Sequence, residues 1–274
     1  MPSQQSVAVL VTQTSMLKTH LYHALFSQDG ALPSPVTVCI SLYNYQSHIV
    51  ETLQSVFDQT QELLDLIVVE DCSTDDSFRV AMEWMQQNAA RFGTVRLLRH
   101  AENSGLSAAR NTAIAASATP YIFILDADNL LYPRCVARCI EALIADEEAA
   151  AAYPIIEKFG EEQALIGNVV WNPERFKRVN CIDAMSLIRR DALIAVDGYS
   201  ELNAVGKLGW EDYELWCKFI DRGFYAVSVP EILARYRTHK TSMLNSVSNQ
   251  EDNIKQLHRE MMSLHPWLDL PVSL

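Results

Sequence analysis

Short apolar runs rich in β-branched residues alternate with amphipathic segments over the first half of this 274-residue chain. Each run has the length of a strand, and the segments between the first four carry apolar residues at helical spacing, as Ile49, Leu53 and Val56 do. Strands that alternate with helices predict parallel βαβ units, so we expect an α/β fold with a mostly parallel central sheet. The predicted strands are 36–41, 66–70, 95–98, 121–125, 149–153 and 224–229, and the helices between the first four are 47–59, 75–91 and 107–117.

The second half of the chain is less regular. A helix is predicted over 132–145, but 154–181 is interpreted as a variable or mobile loop because glycine, asparagine and proline interrupt it. Further helices are predicted over 183–196 and 211–222, with a glycine-containing stretch between them. This half is therefore expected to be α+β in character.

Both ends of the chain are predicted to lie outside one main domain, which spans 35–245. Residues 1–34 are interpreted as an N-terminal appendage, in which 7–26 fits a helix or a strand followed by a helix, and 30–35 fits a linker. The tail, 246–274, carries a helical apolar stripe over 249–264. Such a stripe is suited to packing within the chain or to forming a homo-oligomer.

Composition limits the partners of the protein. A formal net charge of −12 and a pI near 5.0 oppose binding to the phosphate backbone of nucleic acid, which needs clustered Lys and Arg. An acidic protein can still bind a nucleotide diphosphate when a divalent cation neutralises the ligand. We therefore expect a metal-dependent site and no nucleic-acid partner.

The cysteines and the apolar runs indicate the compartment. Six cysteines form no Cys-x-x-Cys pair and no compact disulfide framework, which predicts reduced, mostly buried thiols. No apolar run approaches the roughly 20 residues of a membrane span, and no export signal is recognised at the N-terminus. We expect a cytoplasmic protein, or one peripheral at the inner face of the membrane.

Asp126 and Asp128 directly follow the apolar run 121–125. Carboxylates at i and i+2 that leave the carboxyl end of a strand project into the crevice where open α/β sheets bind ligands, and their oxygens suit Mg²⁺ or Mn²⁺ on a phosphate. The pair alone fits a solvated turn better, since aspartate is favoured where strands end. Polar clusters elsewhere in the chain change that balance in favour of a site.

Polar residues also follow the first two predicted strands. Ser41, Tyr43 and Asn44 stand at the end of the first, where Tyr43 could stack on a base or be a buried core residue. Glu70 and Asp71 end the second, before residues suited to capping the next helix. Capping does not explain two adjacent acids, and a carboxylate here can accept the imide N–H of uracil or a ribose hydroxyl.

Further polar residues lie near two helix starts and after the last predicted strand. Arg110, about one turn into its helix, fits a phosphate or a structural carboxylate partner, or an exposed surface charge. Glu211 and Asp212 occupy a first helical turn, where the helix dipole favours acids, but the adjacent Trp210 suggests a pocket wall. His239 fits a metal ligand or a surface histidine.

In their order along the chain, these clusters resemble the inverting glycosyltransferases of family 2, which have the GT-A nucleotide-sugar-binding fold. The resemblance covers about residues 36–243. It implies a nucleotide-binding half, 35–130, and an acceptor-side half, 131–245. Its most specific parts are Tyr43-Asn44, Glu70-Asp71-Cys72-Ser73-Thr74-Asp75, Asn103-Ser104-Gly105 with Ala108-Ala109-Arg110-Asn111, Asp126-Ala127-Asp128 and Trp210-Glu211-Asp212.

The resemblance implies a role for each candidate residue. The implied donor-binding residues are Ser41, Tyr43, Asn44, Asp71, Arg110 and Asp126. The implied metal contacts, for Mn²⁺ or Mg²⁺, are Asp128 and His239. The implied catalytic base is Asp212, with Trp210 and Glu211 on the acceptor side.

Several positions depart from the family pattern. Ser41-Leu42 stands where a proline usually precedes the Tyr-Asn pair, Glu70 is the first acid of its turn, and Asn129 replaces a further acid. Cys72 replaces a customary glycine, which is expected to alter the turn and to leave the base preference open.

The implied reaction is a metal-dependent, inverting transfer from a nucleotide sugar, a UDP-sugar by resemblance, to a glycan or glycolipid acceptor in polysaccharide, lipopolysaccharide or other glycoconjugate synthesis. Loop closure over the donor is expected at 154–180 or 205–209. A nucleotidyltransferase or nucleotide-sugar hydrolase would need a Gly/Arg-rich phosphate loop, which is not found. A non-catalytic binding module is opposed by the presence of Asp71, Asp128 and Asp212.

Overall fold

Helices cover both faces of a ten-stranded sheet in the computed structural model, which describes residues 17, 20–30, 32–201, 204–239 and 248–271. The strands are β1 (Tyr22–Asp29), β2 (Val36–Leu42), β3 (Asp65–Glu70), β4 (Thr94–His100), β5 (Tyr121–Asp126), β6 (Leu130–Leu131), β7 (Ala151–Gly160), β8 (Leu165–Ile166), β9 (Leu187–Arg189) and β10 (Ala226–Thr238). The helices are α1 (Ile49–Phe57), α2 (Ser77–Asn88), α3 (Leu106–Ala116), α4 (Cys135–Ala145), α5 (Pro173–Phe176), α6 (Arg190–Ala195), α7 (Ala204–Leu208), α8 (Glu211–Asp221) and α9 (Glu251–Leu264), with a 3-10 turn at Ala89–Arg91.

The strand order is β1-β4-β3-β2-β5-β9-β7-β10-β6, with β8 paired to β7. Strands β4, β3, β2 and β5 are mutually parallel, and so are β7 and β10, whereas β1, β6, β8 and β9 pair antiparallel. The predicted α/β class with a mostly parallel central sheet is confirmed. The carboxyl ends of β2, β3 and β5 meet at one edge, where their polar ends converge.

Two hydrophobic cores lie on opposite faces of the sheet, as alternation along the strands requires. In β2, Val38 and Ile40 pack into the core beneath α1, α2 and α4, whereas Cys39 packs into the core beneath α3, α6, α8 and α9. Because both faces are covered, β2 and β3 are buried almost throughout, which explains their near-continuous apolar sequence.

The loop prediction for 154–181 is wrong in its first part, since β7 runs to Gly160. The proline at position 154 disfavours a regular strand, but the β7–β10 register shifts between Val229 and Ile232, next to the position paired with Pro154. Prolines are tolerated at such bulges. The rest of this stretch contains the short elements β8 and α5.

The helix prediction for 183–196 is also wrong in its first half. Residues 187–189 form β9, which inserts antiparallel between β5 and β7, and only α6 is helical. Leu187 and Ile188 fit a helical pattern equally well, but cross-strand pairing with Phe123 and Ile122 decides their conformation. The last strand is longer than predicted, reaching Thr238, so 235–238 lie within it rather than after it.

The two ends of the chain contribute to the same structure. Residues 22–29 form an edge strand on β4, so a helix over 22–26 is wrong, whereas 7–16 lies outside the described residues. The predicted tail helix is confirmed as α9, and its Leu257 and Met261 are fully buried within this chain. The division into domains and the homo-oligomer contact stay predictions.

The six cysteines are free thiols, and four of them, including Cys135 and Cys139, are buried. Over the described ranges, no helix is long and apolar enough to cross a membrane.

Candidate functional site

One cleft of about 1300 Å³ opens at the carboxyl ends of β2, β3 and β5. Segments from both halves of the chain form its walls. All the residues predicted for the site from the sequence line it: Ser41, Tyr43, Asn44, Asp71, Arg110, Asp126, Asp128, Trp210, Glu211, Asp212 and His239.

Asp71 organises the part of the cleft where the loops after β3 and β4 meet. Its Oδ1 accepts hydrogen bonds from His100 Nδ1 at 2.7 Å and from the Ser104 backbone N–H at 2.8 Å, and its Oδ2 accepts from the Gly105 N–H at 2.8 Å. Since a carboxylate oxygen has two lone pairs, Oδ2 can accept one further donor from the cleft. His100 was missed from the sequence because it reads as an ordinary strand residue; its Nε2 lies 2.9 Å from Thr112 Oγ1.

Asn44 and Cys72 shape the loops beside Asp71. Asn44 Oδ1 accepts from the Thr74 N–H at 2.8 Å, and the Asn44 N–H donates to Ser73 Oγ at 3.0 Å, so Asn44 joins the two strand ends. Cys72 has φ 60°, in the left-handed region that favours glycine. The turn keeps its left-handed geometry although cysteine stands where the family pattern has glycine. Tyr43 is 41% exposed, which removes the buried-core alternative considered for it.

Asp128 and His239 are brought together from distant parts of the chain. Asp128 Oδ2 lies 3.0 Å from His239 Nε2, and the Tyr45 hydroxyl also donates to Asp128. Burial, with the nearby Asp126 carboxylate adding, raises the pKa of Asp128 to about 6, and the His239 contact opposes this rise. The carboxylates of Asp126 and Asp128 repel each other when both are ionised, and a bound cation would stabilise them in that form.

The donor set fits a divalent metal that shares its coordination with a ligand. Carboxylate oxygen and imidazole nitrogen both bind Mn²⁺, but no group of three or more His, Cys, Asp or Glu side chains suited to a metal occurs among the described residues. A protein site with one or two carboxylates is typical of Mg²⁺-type ions that are completed by substrate phosphates and water. Asp128 and His239 are therefore the residues that would hold the ion.

Arg110 is only 2% exposed and joins two of the predicted site acids. Its guanidinium donates to Asp126 Oδ1 at 2.7 Å and to Glu211 Oε1 at 2.5 Å, and it packs 5.1 Å from the Tyr199 ring centroid. The sequence left open whether Arg110 binds a phosphate, pairs with a structural carboxylate or is an exposed charge. In the structure it is buried and pairs with carboxylates, and a phosphate contact stays a prediction. Glu211 is likewise buried, and it lines the cleft paired with Arg110.

Asp212 lies at the start of α8 among other acids. Its Oδ2 accepts from Asn180 Nδ2 at 2.8 Å, and its Oδ1 accepts from the Tyr213 N–H at 2.7 Å. Burial raises the pKa of Asp212 well above its usual range, and the carboxylates of Glu211 and Asp183 add to the rise. A carboxylate with a raised pKa in a cleft is suited to accept a proton.

Asn180 and Asp183 are site residues that sequence reasoning missed. Asn180 lies in the predicted loop, for which no single residue was singled out, and Asp183 lies where a helix was wrongly predicted to begin. Asp183 Oδ1 accepts from the Met185 N–H at 2.9 Å, and burial, with Asp126 adding, raises the pKa of Asp183 to about 7. The signal available was two polar residues close together before an apolar run.

The sequence matches a known family profile and a set of relatives. The sequence profile described as Glycosyl transferase family 2 matches residues 37–196. Succinoglycan biosynthesis protein ExoU of Rhizobium meliloti is 32% identical over 214 residues, which cover 71% of this chain and 59% of that protein. The chain thus spans less than two thirds of the length of this relative.

Two solved structures have the same fold. Residues 1–349 of TarS from S. aureus, in complex with UDP-GlcNAc, superpose with a TM-score of 0.67 at 15% identity, covering 86% of this chain and 68% of that one. The mannosyltransferase PcManGT from Pyrobaculum calidifontis, in complex with GDP-Man and Mn²⁺, gives a TM-score of 0.65 at 18% identity, covering 92% of this chain and 68% of that one. The fold is GT-A.

Proposed function

The chain belongs to glycosyltransferase family 2, and from this membership and the geometry of the cleft we propose a metal-dependent, inverting transfer of a sugar from a UDP-sugar to an acceptor hydroxyl. The observation that carries the proposal is the convergence of Asp71, Asp128 and Asp212 on one cleft. Asp71 follows β3, Asp128 follows β5 and Asp212 lies in α8, far apart in the sequence. A cleft that holds a donor at one end and a base at the other can support a single displacement.

The charges of the cleft support metal dependence. Arg110, the most deeply buried cation of the cleft wall, is engaged by Asp126 and Glu211 and is therefore neutralised before a ligand arrives. A nucleotide diphosphate would otherwise meet the carboxylates of Asp126 and Asp128. A divalent ion held by Asp128 and His239 would stabilise charge that develops on the departing diphosphate.

The side chains of the cleft then have distinct tasks. The free acceptor position of Asp71 Oδ2 suits an N–H of the base, and the exposed Tyr43 ring can lie against it. Asp212 takes the proton of the acceptor hydroxyl, a step that typically contributes about 10²–10⁴-fold to the rate. Attack from the side opposite the diphosphate inverts the configuration at the anomeric carbon.

We propose polysaccharide or other glycoconjugate synthesis as the setting. The support is that a relative, ExoU, is named for succinoglycan biosynthesis. On this proposal the acceptor is a glycan or glycolipid, and the sugar transfer takes place in the cytoplasm or at the inner face of the membrane.

Thermal unfolding with a panel of UDP-, GDP- and dTDP-sugars, each with Mn²⁺, Mg²⁺ or EDTA, tests the donor site. We expect a rise in Tm with a UDP-sugar that EDTA abolishes and that Asp128→Asn greatly reduces. The matched control is Asp29→Asn, because the Asp29 side chain is 70% exposed at the end of β1 and should leave the shift unchanged. A shift that is indifferent to EDTA contradicts metal dependence, and no shift with any nucleotide sugar contradicts the donor site.

A further inference from the structure

The C-terminal tail forms part of the catalytic cleft. Residues 248–271 lie beyond the segment matched by the family profile, which ends at 196. Five of them nevertheless line the cleft that contains Asp212: Ser248, Asn249, Ile254, His258 and Pro271. Part of the cleft wall beside α7 and α8 is therefore made by this chain's own tail.

Specific contacts hold the tail against the cleft. The Asp269 N–H donates to the Lys177 carbonyl at 2.8 Å, and Arg178 Nε donates to Asp269 Oδ2 at 2.9 Å. At its other end, Ser248 Oγ donates to the Leu208 carbonyl at 2.5 Å. Together with the buried Leu257, these bonds fix the tail at both sides of the opening.

The chemistry of this wall suits a sugar ring. Trp210 is half-buried, and its ring centroid lies 5.3 Å from that of His258 and 5.6 Å from that of Tyr213. The rings form an aromatic corner, and the amides of Asn180 and Asn249 line the same cleft. A pyranose has an apolar C–H face that packs on aromatic rings and a rim of hydroxyls that bond amides.

We propose that the tail completes the acceptor subsite, and that its occupant is a terminal pyranose of a glycan packed against Trp210 and His258. The inference rests on the proposed function, because Asp212 at the edge of the corner would deprotonate a hydroxyl of that ring. It assigns acceptor recognition to a segment outside the family match. His258 is kept in place by its Nδ1–H, which donates to the Pro271 carbonyl at 2.6 Å.

Saturation-transfer-difference NMR on the full-length protein with UDP and diamagnetic Mg²⁺ tests the subsite, with the methyl glycosides of glucose, galactose, mannose and N-acetylglucosamine as probes. We expect saturation of the C–H protons on one face of at least one glycoside. The His258→Asn variant should keep the hydrogen bond to Pro271 but lose the ring, and so reduce this signal at least about threefold. Arg259→Gln, an exposed neighbour on the same helix, is the control and should leave the signal unchanged.

The outcomes separate the subsite from the donor site. Saturation of UDP protons without saturation of any glycoside would overturn the subsite and leave the donor proposal intact. A glycoside signal of equal size in His258→Asn would overturn the role of the tail. If that variant does not fold, Asn249→Ala, which removes a cleft-lining amide of the tail, takes its place, and an undiminished signal there has the same meaning. Absence of UDP saturation would instead contradict the proposed function.

Discussion

At the residue scale, two hydrogen bonds orient Asp212, and only one of them comes from a side chain. Asn180 Nδ2 donates to Asp212 Oδ2, and the Tyr213 N–H fixes the other oxygen. A hydrogen bond to a carboxylate favours its ionised form, so we expect Asn180 both to position the proposed base and to oppose the rise that burial produces in the pKa of Asp212. The two roles make separate contributions to turnover.

We predict that Asn180→Ala lowers kcat about 10–100-fold, the value of a hydrogen bond to a charged group. The decisive measurement is the pH profile of kcat/KM. Its acidic limb should move to higher pH, because loss of the hydrogen bond from Asn180 raises the pKa of Asp212. Donor KM should stay within about threefold of wild type. Asn172→Ala removes a comparable amide that only caps α5 and serves as control. An unshifted pH profile would mean that Asn180 does not act through Asp212.

Asp183 should make stability depend on pH. Its folded-state pKa is raised to about 7 from 3.8, chiefly by burial, so the protonated folded form is favoured. The associated stability is fully present below about pH 4 and is lost as the pH rises through 7.

We predict that Asp183→Asn raises Tm relative to wild type at pH 8 in EDTA, with a smaller difference at pH 4.5. The Asn side chain keeps the acceptor for the Met185 N–H but cannot ionise beside Asp126. The gain should be of the order of a few kcal/mol, since each pKa unit corresponds to about 1.4 kcal/mol. Asp191→Asn, in the first turn of α6, is the control. A gain that is equal at both pH values would contradict this titration.

At the element scale, the turn after α6 meets α3 in a close approach at Gly198 and is bonded to α8. The residue has φ 61°, and a Cβ there would collide with Asn111 Oδ1, which accepts from the Tyr199 N–H at 2.9 Å. The Gly198 carbonyl also accepts from Lys218 Nζ at 2.9 Å. Both the left-handed backbone conformation and the lack of room for a Cβ therefore require glycine at position 198.

We predict that Gly198→Ala lowers the free energy of unfolding by about 2–4 kcal/mol, since a left-handed alanine costs about 1–2 kcal/mol and the clash with Asn111 adds to it. Gly223→Ala is the matched control: it has φ 73° but nothing within 4 Å of an added Cβ. Chemical denaturation of both variants separates the two costs. Equal losses would show that the close approach at Gly198 does not matter.

Helices and strands whose own sequence indicates their conformation could be predicted. Elements that take their conformation only by pairing with distant strands could not. The strands that carry Asp71 and Asp128 were found because buried parallel strands have continuous apolar sequences. Strand β9 was missed because its three residues acquire strand geometry only by pairing with β5 and β7. For the same reason Asn180 was hidden: its partner Asp212 lies 32 residues away. All the resemblance-based site residues line the cleft, but their roles remain predictions.

At the scale of the whole molecule, the proposed function divides the cleft into a donor side and an acceptor side. The parallel strands β2, β3 and β5 end at the proposed donor side, and α8 with the tail contributes to the wall of the proposed acceptor side. The acids of the cleft would repel a nucleotide diphosphate without a cation, because Arg110 is already paired. Donor binding and proton transfer are thus assigned to different residues and can be separated by mutation.

The most direct test of this account compares donor binding and turnover in wild type and Asp212→Asn. Calorimetry would measure binding of the UDP-sugar that stabilises the protein, and UDP release would be followed with methyl glycosides and with water alone. We predict that the variant binds the donor within about threefold of wild type but releases UDP about 10²–10⁴-fold more slowly, whereas the exposed Asp252→Asn control matches wild type. Unchanged UDP release in Asp212→Asn would contradict the account.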